Sequence, residues 1–286
     1  MHSVPPAAFS NPEDETLDEF GPREPPAQAW RRAVLTPTFP VELGIAVAMI
    51  GVAEFCLPQH TRPVPVQKIN GTWARAFLLD NPYGSDTVSN LALMLLATLG
   101  PLAVAILLSF AVPAKGAVKA WVHSYLWMMG TSIMMVSAIK RYCGYWRPYF
   151  LNECAFDDAL GECTSDDYAH GFRSFPSGHA SNSVGPLLHT SLRLLGALRV
   201  GHTPRAVKLG AHEKAPALEL DGILTVLCLL PTFLAAWIAA SRVHDHAHHP
   251  ADVVGGALIG AGAAVFWHVR YFHPLFGPDA HRPRMP

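Results

Sequence analysis

The sequence has few charged residues. Of its 286 residues only 15% are Asp, Glu, Lys or Arg, whereas 50% are apolar, and a soluble domain carries about 25% charged residues. Basic residues are not in excess either, because 21 Lys and Arg stand against 22 Asp and Glu. This balance offers no basic surface to a nucleic acid, so we expect no nucleic-acid partner. Five cysteines are too few for a disulfide scaffold. The composition therefore predicts a polytopic membrane protein in a lipid bilayer.

Both ends of the chain differ from the middle. Residues 1–37 hold acidic residues and prolines and show no apolar period, a composition that does not bury enough apolar surface to fold alone. They also lack the basic segment and apolar run of a cleaved signal peptide. We therefore expect a disordered, acidic, Pro-rich cytoplasmic tail over 1–37 and a second, short cytoplasmic tail over 273–286.

Between the tails, apolar runs approach the roughly 20 residues that a helix needs to cross a bilayer. There are six of them: residues 41–57, 88–112, 120–138, 180–198, 220–240 and 253–272. The fourth is the weakest because it contains His189 and Arg193, and the first carries Glu54, which we expect to face protein or the interface. The sequence thus predicts an all-α membrane bundle of six transmembrane helices in one domain, residues 38–272.

The distribution of basic residues predicts the orientation of this bundle. If the N-terminus is cytoplasmic, 13 of the 21 Lys and Arg lie on the cytoplasmic side, as expected for membrane proteins. The opposite side then holds the sequon at Asn70, a candidate glycosylation site, and the pair Cys154 and Cys163. This pair is a candidate disulfide, with two free thiols as the alternative. Endomembrane and plasma membrane are both open as locations, and so is the oligomeric state.

Two cations follow the third apolar run. Lys140 and Arg147 lie seven residues apart, beside the expected membrane surface. A lysine point charge and a forked guanidinium suit one bound anion. The alternative is that both residues anchor the interface beside Trp146.

The same loop closes with Pro-Ser-Gly-His, residues 176–179, directly before a predicted helix. Gly178 lets the backbone approach a ligand closely, and the N–H groups of a helix N-terminus bind anions. His179 is suited to deliver a proton near neutral pH. The alternative is an ordinary loop-to-helix junction in which Ser177 caps the helix.

A third motif follows the fifth apolar run and contains Arg242, His248 and Asp252. On a helical turn Asp252 reaches one imidazole nitrogen of His248 and leaves the other free as a nucleophile or base. The competing interpretation is a metal site, because His244 and His248 share the same spacing in a His-rich stretch. A metal site does not account for Lys140, Arg147 and Arg242, because these positive side chains would repel a metal cation.

The three motifs together place three cations, two histidines and a carboxylate on one predicted face of the bundle. Hydrolysis of a phosphate ester needs charge neutralisation on the phosphate oxygens and an in-line nucleophile. This set supplies both without a metal ion.

In order and spacing these motifs resemble the signature of the type 2 phosphatidic acid phosphatase (PAP2) superfamily, and within it the lipid phosphate phosphatase subgroup. Residues 81–87 and the His248-His249 pair are also similar to that subgroup, and the resemblance covers about residues 38–272. It implies a phosphatase that needs neither Mg²⁺ nor another cofactor and acts on a membrane lipid. The implied reaction converts phosphatidate, lysophosphatidate or diacylglycerol pyrophosphate to the dephosphorylated lipid and inorganic phosphate through a phosphohistidine, at the lumenal or extracellular face.

The resemblance also implies roles for single residues. His248 is the implied nucleophile, Asp252 its orienting partner and His179 the acid for the leaving group. Phosphate binding is implied for Lys140, Arg147, Ser177, Gly178 and Arg242. The histidines outside the signature, His244, His246 and His249, are expected to be solvated, and no metal site is expected.

Three alternatives stay open at this point. One is a sphingoid base phosphate phosphatase or dolichyl pyrophosphate phosphatase of the same superfamily. Another is an inactive relative that serves as a membrane interaction protein. The last is a metal-handling membrane protein built on the histidine-rich stretch.

Overall fold

The computed structural model describes residues 24–165, 168–201, 206–208 and 217–284. The α-helices in these ranges are α1 (Pro26–Val34), α2 (Thr38–Gly51), α3 (Asn90–Ala111), α4 (Ala117–Cys143), α5 (Phe150–Glu153), α6 (Gly178–Ala197), α7 (Leu220–His244) and α8 (Pro250–Tyr271). The strands pair as antiparallel hairpins: β1 (Gln67–Ile69) with β2 (Thr72–Ala74), β3 (Phe156–Asp157) with β4 (Glu162–Cys163), and β5 (Ala206–Lys208) with β6 (Ala217–Glu219).

Within the described ranges, five helices are long and apolar enough to cross a membrane. They are α3, α4, α7, α8 and the continuous helix formed by α2 and the π-helical turn after it, Thr38–Cys56. Their surfaces expose large apolar side chains such as Leu91, Leu107, Val226 and Leu258. Such surfaces are suited to contact with lipid rather than with water. The predicted helical, multi-pass membrane architecture is confirmed, with five spans of this kind.

Helix α6 coincides with the fourth predicted span but is not among these five. Its polar side chains are covered by neighbouring helices: Ser181 Oγ lies 2.6 Å from Ser132 Oγ, and His189 Nε2 lies 3.0 Å from Ser124 Oγ. A helix enclosed by others needs no apolar outer face, since its polar groups find partners inside the bundle. We therefore propose α6 as a sixth crossing because of its packing inside the bundle, although its own hydropathy is too low to indicate one.

Glycines bring α8 close to α6. A Cβ at Gly256 would lie 2.2 Å from the carbonyl oxygen of Ser177, and one at Gly260 would lie 2.5 Å from that of Ser181. Small residues at a helix contact allow the backbones to approach. This contact sets the start of α8 against the start of α6.

The predicted N-terminal tail extends too far along the chain. Disorder through residue 37 is wrong for Pro26–Val34, which form α1; residues 1–23 lie outside the described residues. Proline suits the first turn of a helix, because its missing N–H has no partner there anyway. Ala29 and Ala33 are buried with Val118, and the Trp30 and Trp121 rings meet edge to face. Burial of this apolar face, whose residues recur at helical spacing, stabilises the helix despite the surrounding prolines and charged residues.

The C-terminal segment folds back on the bundle. The amide of Arg284 donates to the carbonyl of Tyr271 over 2.8 Å, Phe272 forms a bridge with Pro283, and Ala280 is buried.

A small cap covers the end of the bundle between α4 and α6. Cys154 and Cys163 form a disulfide, with sulfur atoms 2.20 Å apart, and an apolar cluster around Phe150 and Phe172 lies beside it. Asn70 is exposed in the turn between β1 and β2. Its glycosylation stays a prediction.

Candidate active site

The three sequence motifs meet at one end of the bundle. Helices α4 and α7 end there and α6 and α8 begin there, so residues at four helix termini become neighbours. The amide of Ser177 donates to the carbonyl of Asp252 over 2.8 Å, and the amide of His248 donates to that of Arg242 over 3.1 Å. Lys140 Nζ donates to the carbonyl of Arg173 over 2.6 Å, in the loop that leads into α6.

The His248 side chain lies beside the carboxylate of Asp252. His248 is only 3% exposed, and its Nδ1 is 3.6 Å from Asp252 Oδ2, slightly beyond hydrogen-bond distance. The contact does not form along one helical turn as predicted, because α7 ends at His244 and Asp252 belongs to α8. Burial lowers the pKa of His248, since a charged imidazolium is costly away from water. The ring is therefore neutral near pH 7 and able to act as a nucleophile.

Asp252 is held by two further donors. Its Oδ2 accepts a 2.5 Å hydrogen bond from Ser174 Oγ and a 2.8 Å bond from the amide of His249. The second bond is part of a capping box at the start of α8, where a carboxylate also complements the helix dipole. These bonds fix the carboxylate beside His248.

The candidate acid, His179, stands in the first turn of α6. Its Nε2 is 3.1 Å from the carbonyl oxygen of Val88; because a carbonyl only accepts, Nε2 carries the proton and Nδ1 is the free nitrogen. Burial, together with the charge of Arg242, lowers the pKa of His179 to about 4. The ring is neutral when the site holds no anion.

Arg242 is the most enclosed of the three predicted cations, at 1% exposure. Its Nη1 donates to Asp86 Oδ1 over 2.8 Å, its Nη2 contacts Asp245 Oδ2, and Nε and Nη2 reach Ser241 Oγ. Asp245 in turn accepts from the amide of Thr87 over 2.9 Å. The guanidinium is thus fixed from two sides, by α7 and by the loop before α3.

The other two cations differ in how they are held. Lys140 is buried, and among the described residues its ammonium group donates only to the backbone carbonyls of Arg173 and Ser174. The Arg147 guanidinium lies over the Tyr149 ring, 5.6 Å from its centre. Its buried Nε has no hydrogen-bond partner among the described residues, which leaves a donor for a bound anion.

Ser177 is the N-cap of α6, as the alternative interpretation of the sequence expected. Its buried Oγ accepts from the amide of Ala180 over 3.3 Å. A Cβ at Gly178 would meet Lys140 Cε at 3.8 Å, so Gly178 lies beside this lysine at the helix N-terminus.

The histidines outside the signature separate into two kinds. His244 and His246 are exposed, as expected. His249 is not simply solvated, because it is the N-cap of α8 and its Nε2 lies 3.2 Å from the carbonyl oxygen of Trp146. Within the described part of the chain, no three His, Cys, Asp or Glu side chains come together as ligands for a metal ion.

Sequence reasoning missed the residues that hold the site in place. Asp245 follows Arg242 by three positions, so helical spacing alone was a usable signal. Asp86 lies in the segment 81–87, whose role the sequence did not indicate. Ser174 carried no signal, since its contact with Asp252 joins positions 78 residues apart.

The sequence of this region also matches a known protein family. The family described as the PAP2 superfamily matches residues 121–274, which contain all eight predicted catalytic and phosphate-binding residues. The chain belongs to the PAP2 superfamily.

Among individual relatives, the chain is 35% identical over 163 residues to lipid phosphate phosphatase 2 of Arabidopsis thaliana, over 52% of this chain and 50% of that protein. It is 30% identical over 179 residues to diacylglycerol pyrophosphate phosphatase 1 of Saccharomyces cerevisiae, over 56% of this chain and 57% of that protein. The chain spans about half the length of the curated relatives it matches. No solved structure gives a significant match.

Proposed function

We propose that this PAP2 protein is a lipid phosphate phosphatase that works without a metal ion through a phosphohistidine intermediate. The observation that carries the proposal is the buried, neutral His248 beside Asp252, with Lys140, Arg147 and Arg242 in the same site. The names of the relatives, lipid phosphate phosphatase and diacylglycerol pyrophosphate phosphatase, support a lipid phosphate and diacylglycerol pyrophosphate as substrates. Phosphatidate and lysophosphatidate are proposed from the sequence resemblance.

In the first step, His248 Nε2 attacks phosphorus while the bond from phosphorus to the lipid oxygen breaks. Asp252 stabilises the positive charge that develops on the imidazole. The three cations offset the charge on the non-bridging phosphate oxygens. His179 gives a proton to the departing oxygen, and the dephosphorylated lipid leaves.

In the second step, water attacks the phosphorus of the phosphohistidine. His179, now deprotonated, takes a proton from that water, in keeping with microscopic reversibility. The phosphorus–nitrogen bond breaks, inorganic phosphate is released, and His248 is regenerated.

The protonation of His179 follows from the charge of the substrate. With no anion bound, burial and Arg242 keep its pKa at about 4, so the ring would lack the proton that it must donate. A phosphate group between His179 and the cations offsets their charge and adds a negative charge of its own. Both effects raise the pKa of His179, so substrate binding creates the acid.

We further propose six crossings, with the N-terminus cytoplasmic and the site at the lumenal or extracellular face. The cap that carries the disulfide of Cys154 and Cys163 and the sequon at Asn70 lie at the same end as the site. Both features are suited to a non-cytoplasmic compartment.

The deciding experiment is phosphate release from phosphatidate in mixed detergent micelles with excess EDTA, for the intact protein and for His248→Ala. We expect activity that survives EDTA and is lost in the variant. Activity that requires a metal ion would contradict the mechanism. A folded protein that fails with phosphatidate, sphingoid base phosphate and dolichyl pyrophosphate alike would be an inactive relative.

A further inference from the structure

A cavity of about 250 Å³ adjoins the candidate active site on the side of α2 and α4. Lys140 and Arg147 line both the cavity and the site. The other lining residues are the apolar Ile133 and Val136 and the polar or charged Glu54, Ser137, His170, Arg173 and Asn182. The proposed mechanism uses only the two shared cations, so the remaining polar groups have no assigned role.

Glu54 forms part of one cavity wall. It lies in the π-helical turn Val52–Cys56 that extends α2, and such turns are frequent at functional sites. Its carboxylate accepts from Ser137 Oγ over 2.6 Å and from Arg173 Nη2 over 2.7 Å. The carboxylate therefore points into the bundle, toward the phosphate-binding end.

Arg173 adds a cation that the signature motifs do not contain. Its backbone is tied to the site, because its carbonyl accepts from Lys140 Nζ over 2.6 Å. Its guanidinium binds Glu54 through Nη2, and the described residues provide no other hydrogen-bond partner for it. The remaining N–H groups are free to bind an anion in the cavity.

Asn182 lines the cavity and lies on the same helix as the candidate acid His179. It follows His179 by three residues on α6, so both side chains lie on one helical face. Its Oδ1 is buried without a partner among the described residues. Asn182 therefore places the cavity within one helical turn of the residue that would protonate the departing oxygen.

We propose that this cavity is a subsite for the second phosphoryl group of a lipid diphosphate, with Arg173 as the residue that binds it. The terminal phosphoryl group occupies the site of Lys140, Arg147 and Arg242, and the inner one, which departs with the lipid, enters the cavity. The bond that breaks joins the terminal phosphorus to the bridging oxygen, which keeps the bonding electrons and becomes an oxygen of the released lipid monophosphate. Glu54 weakens the subsite by offsetting the charge of Arg173. The proposal rests on the proposed phosphatase function.

The test compares kcat/KM for dioleoyl phosphatidate and dioleoylglycerol pyrophosphate in the same micelles. Arg173→Gln is expected to lower the diphosphate-to-monophosphate ratio about tenfold, the effect of losing one charge-assisted contact. Glu54→Gln is expected to raise that ratio about threefold, because Arg173 then carries an uncompensated charge. Arg75→Gln is the matched control: Arg75 pairs with Asp80 and Asp158 outside the cavity, and the ratio should not change.

An ion pair with a purely structural role predicts a different pattern. Both variants would then lower the two activities equally, and the diphosphate-to-monophosphate ratio would stay constant. That result would contradict the subsite but leave the proposed phosphatase function intact. If the intact protein hydrolyses neither lipid, it is the proposed function that fails.

Two further measurements apply if a single variant does not fold. The double variant Glu54→Gln/Arg173→Gln removes both charges of this ion pair together and should lower the ratio as Arg173→Gln does. With the intact protein, inorganic pyrophosphate should inhibit phosphatidate hydrolysis at least tenfold more strongly than orthophosphate. Equal inhibition by the two anions contradicts the subsite.

Discussion

Asp86 and Arg242 are joined by a 2.8 Å hydrogen bond although 156 residues separate them in the chain. The bond links the loop before α3 to the end of α7. Tyr83 donates to the same carboxylate oxygen over 3.1 Å, and Thr87 binds Asp245, the other acidic partner of Arg242. The loop of residues 83–87 thus holds Arg242, the proposed phosphate-binding cation, in place from outside α7.

Removing Asp86 tests this positioning role. We expect Asp86→Ala to lower kcat/KM with phosphatidate about tenfold or more, since a hydrogen bond to a charged group contributes about 1.5–3 kcal/mol. Asp80→Ala is the control, because Asp80 binds only the peripheral Arg75 among the described residues. Equal rates for the two variants would show that Asp245 and Ser241 hold Arg242 without help.

The acid role of His179 predicts a dependence on the leaving group. Replacing His179 by Asn should cost about a hundredfold or more with phosphatidate, within the usual range for general acid catalysis. The loss should be much smaller with an aryl phosphate such as p-nitrophenyl phosphate, whose leaving oxygen departs without a proton. The comparison of the two rate ratios checks this, and equal losses with both substrates would contradict the role.

The same residue predicts the pH profile of kcat. In the substrate complex the acid form of His179 is needed, so kcat should fall as the pH rises through its pKa. That pKa should lie well above the value of about 4 in the empty site, because the bound anion stabilises the imidazolium. The alkaline limb should disappear in His179→Asn. A limb that persists there belongs to another group.

Substitutions of Ser174 and Asp252 should lower kcat by different amounts. Asp252→Asn removes the charge that stabilises the imidazolium of His248, and we expect kcat to fall at least a hundredfold. Ser174→Ala removes only one of the donors to that carboxylate, so a loss of about tenfold is expected. Steady-state kinetics on both variants, with unfolding midpoints to show that each is folded, check this order. A larger loss in Ser174→Ala would mean that Ser174 touches the substrate itself.

The parts of this molecule that sequence predicts are those encoded by local spacing. Of the six apolar runs predicted as spans, five coincide with described helices that are long and apolar enough to cross a membrane. The cations and histidines of the three motifs were found because each motif is short and flanks a helix end. Asp86 and Glu54 were out of reach, since their partners lie 156 and 119 residues away. Composition also misjudged α1, because burial against neighbouring helices decides where that segment lies. The fourth apolar run does form a helix, α6, and its crossing of the membrane stays a prediction.

The contact between α6 and α8 supplies a last prediction, one about geometry rather than charge. A Cβ at Gly256 would lie 2.2 Å from the carbonyl oxygen of Ser177, whereas a Cβ at Gly262, on the same helix, meets nothing within 4 Å. Gly256→Ala must therefore push α8 from α6, at a cost of about 1–3 kcal/mol in the free energy of unfolding.

Activity should fall with stability in Gly256→Ala, because the 2.8 Å bond from the Ser177 amide to the Asp252 carbonyl crosses this contact. Gly262→Ala should keep full activity and gain slightly in stability, since alanine favours a helix over glycine. Thermal unfolding and phosphate release, measured on both variants, check the pair. If Gly256→Ala behaves like Gly262→Ala, the close approach of the two helices does not set the distance between His248 and the phosphate-binding residues of α6.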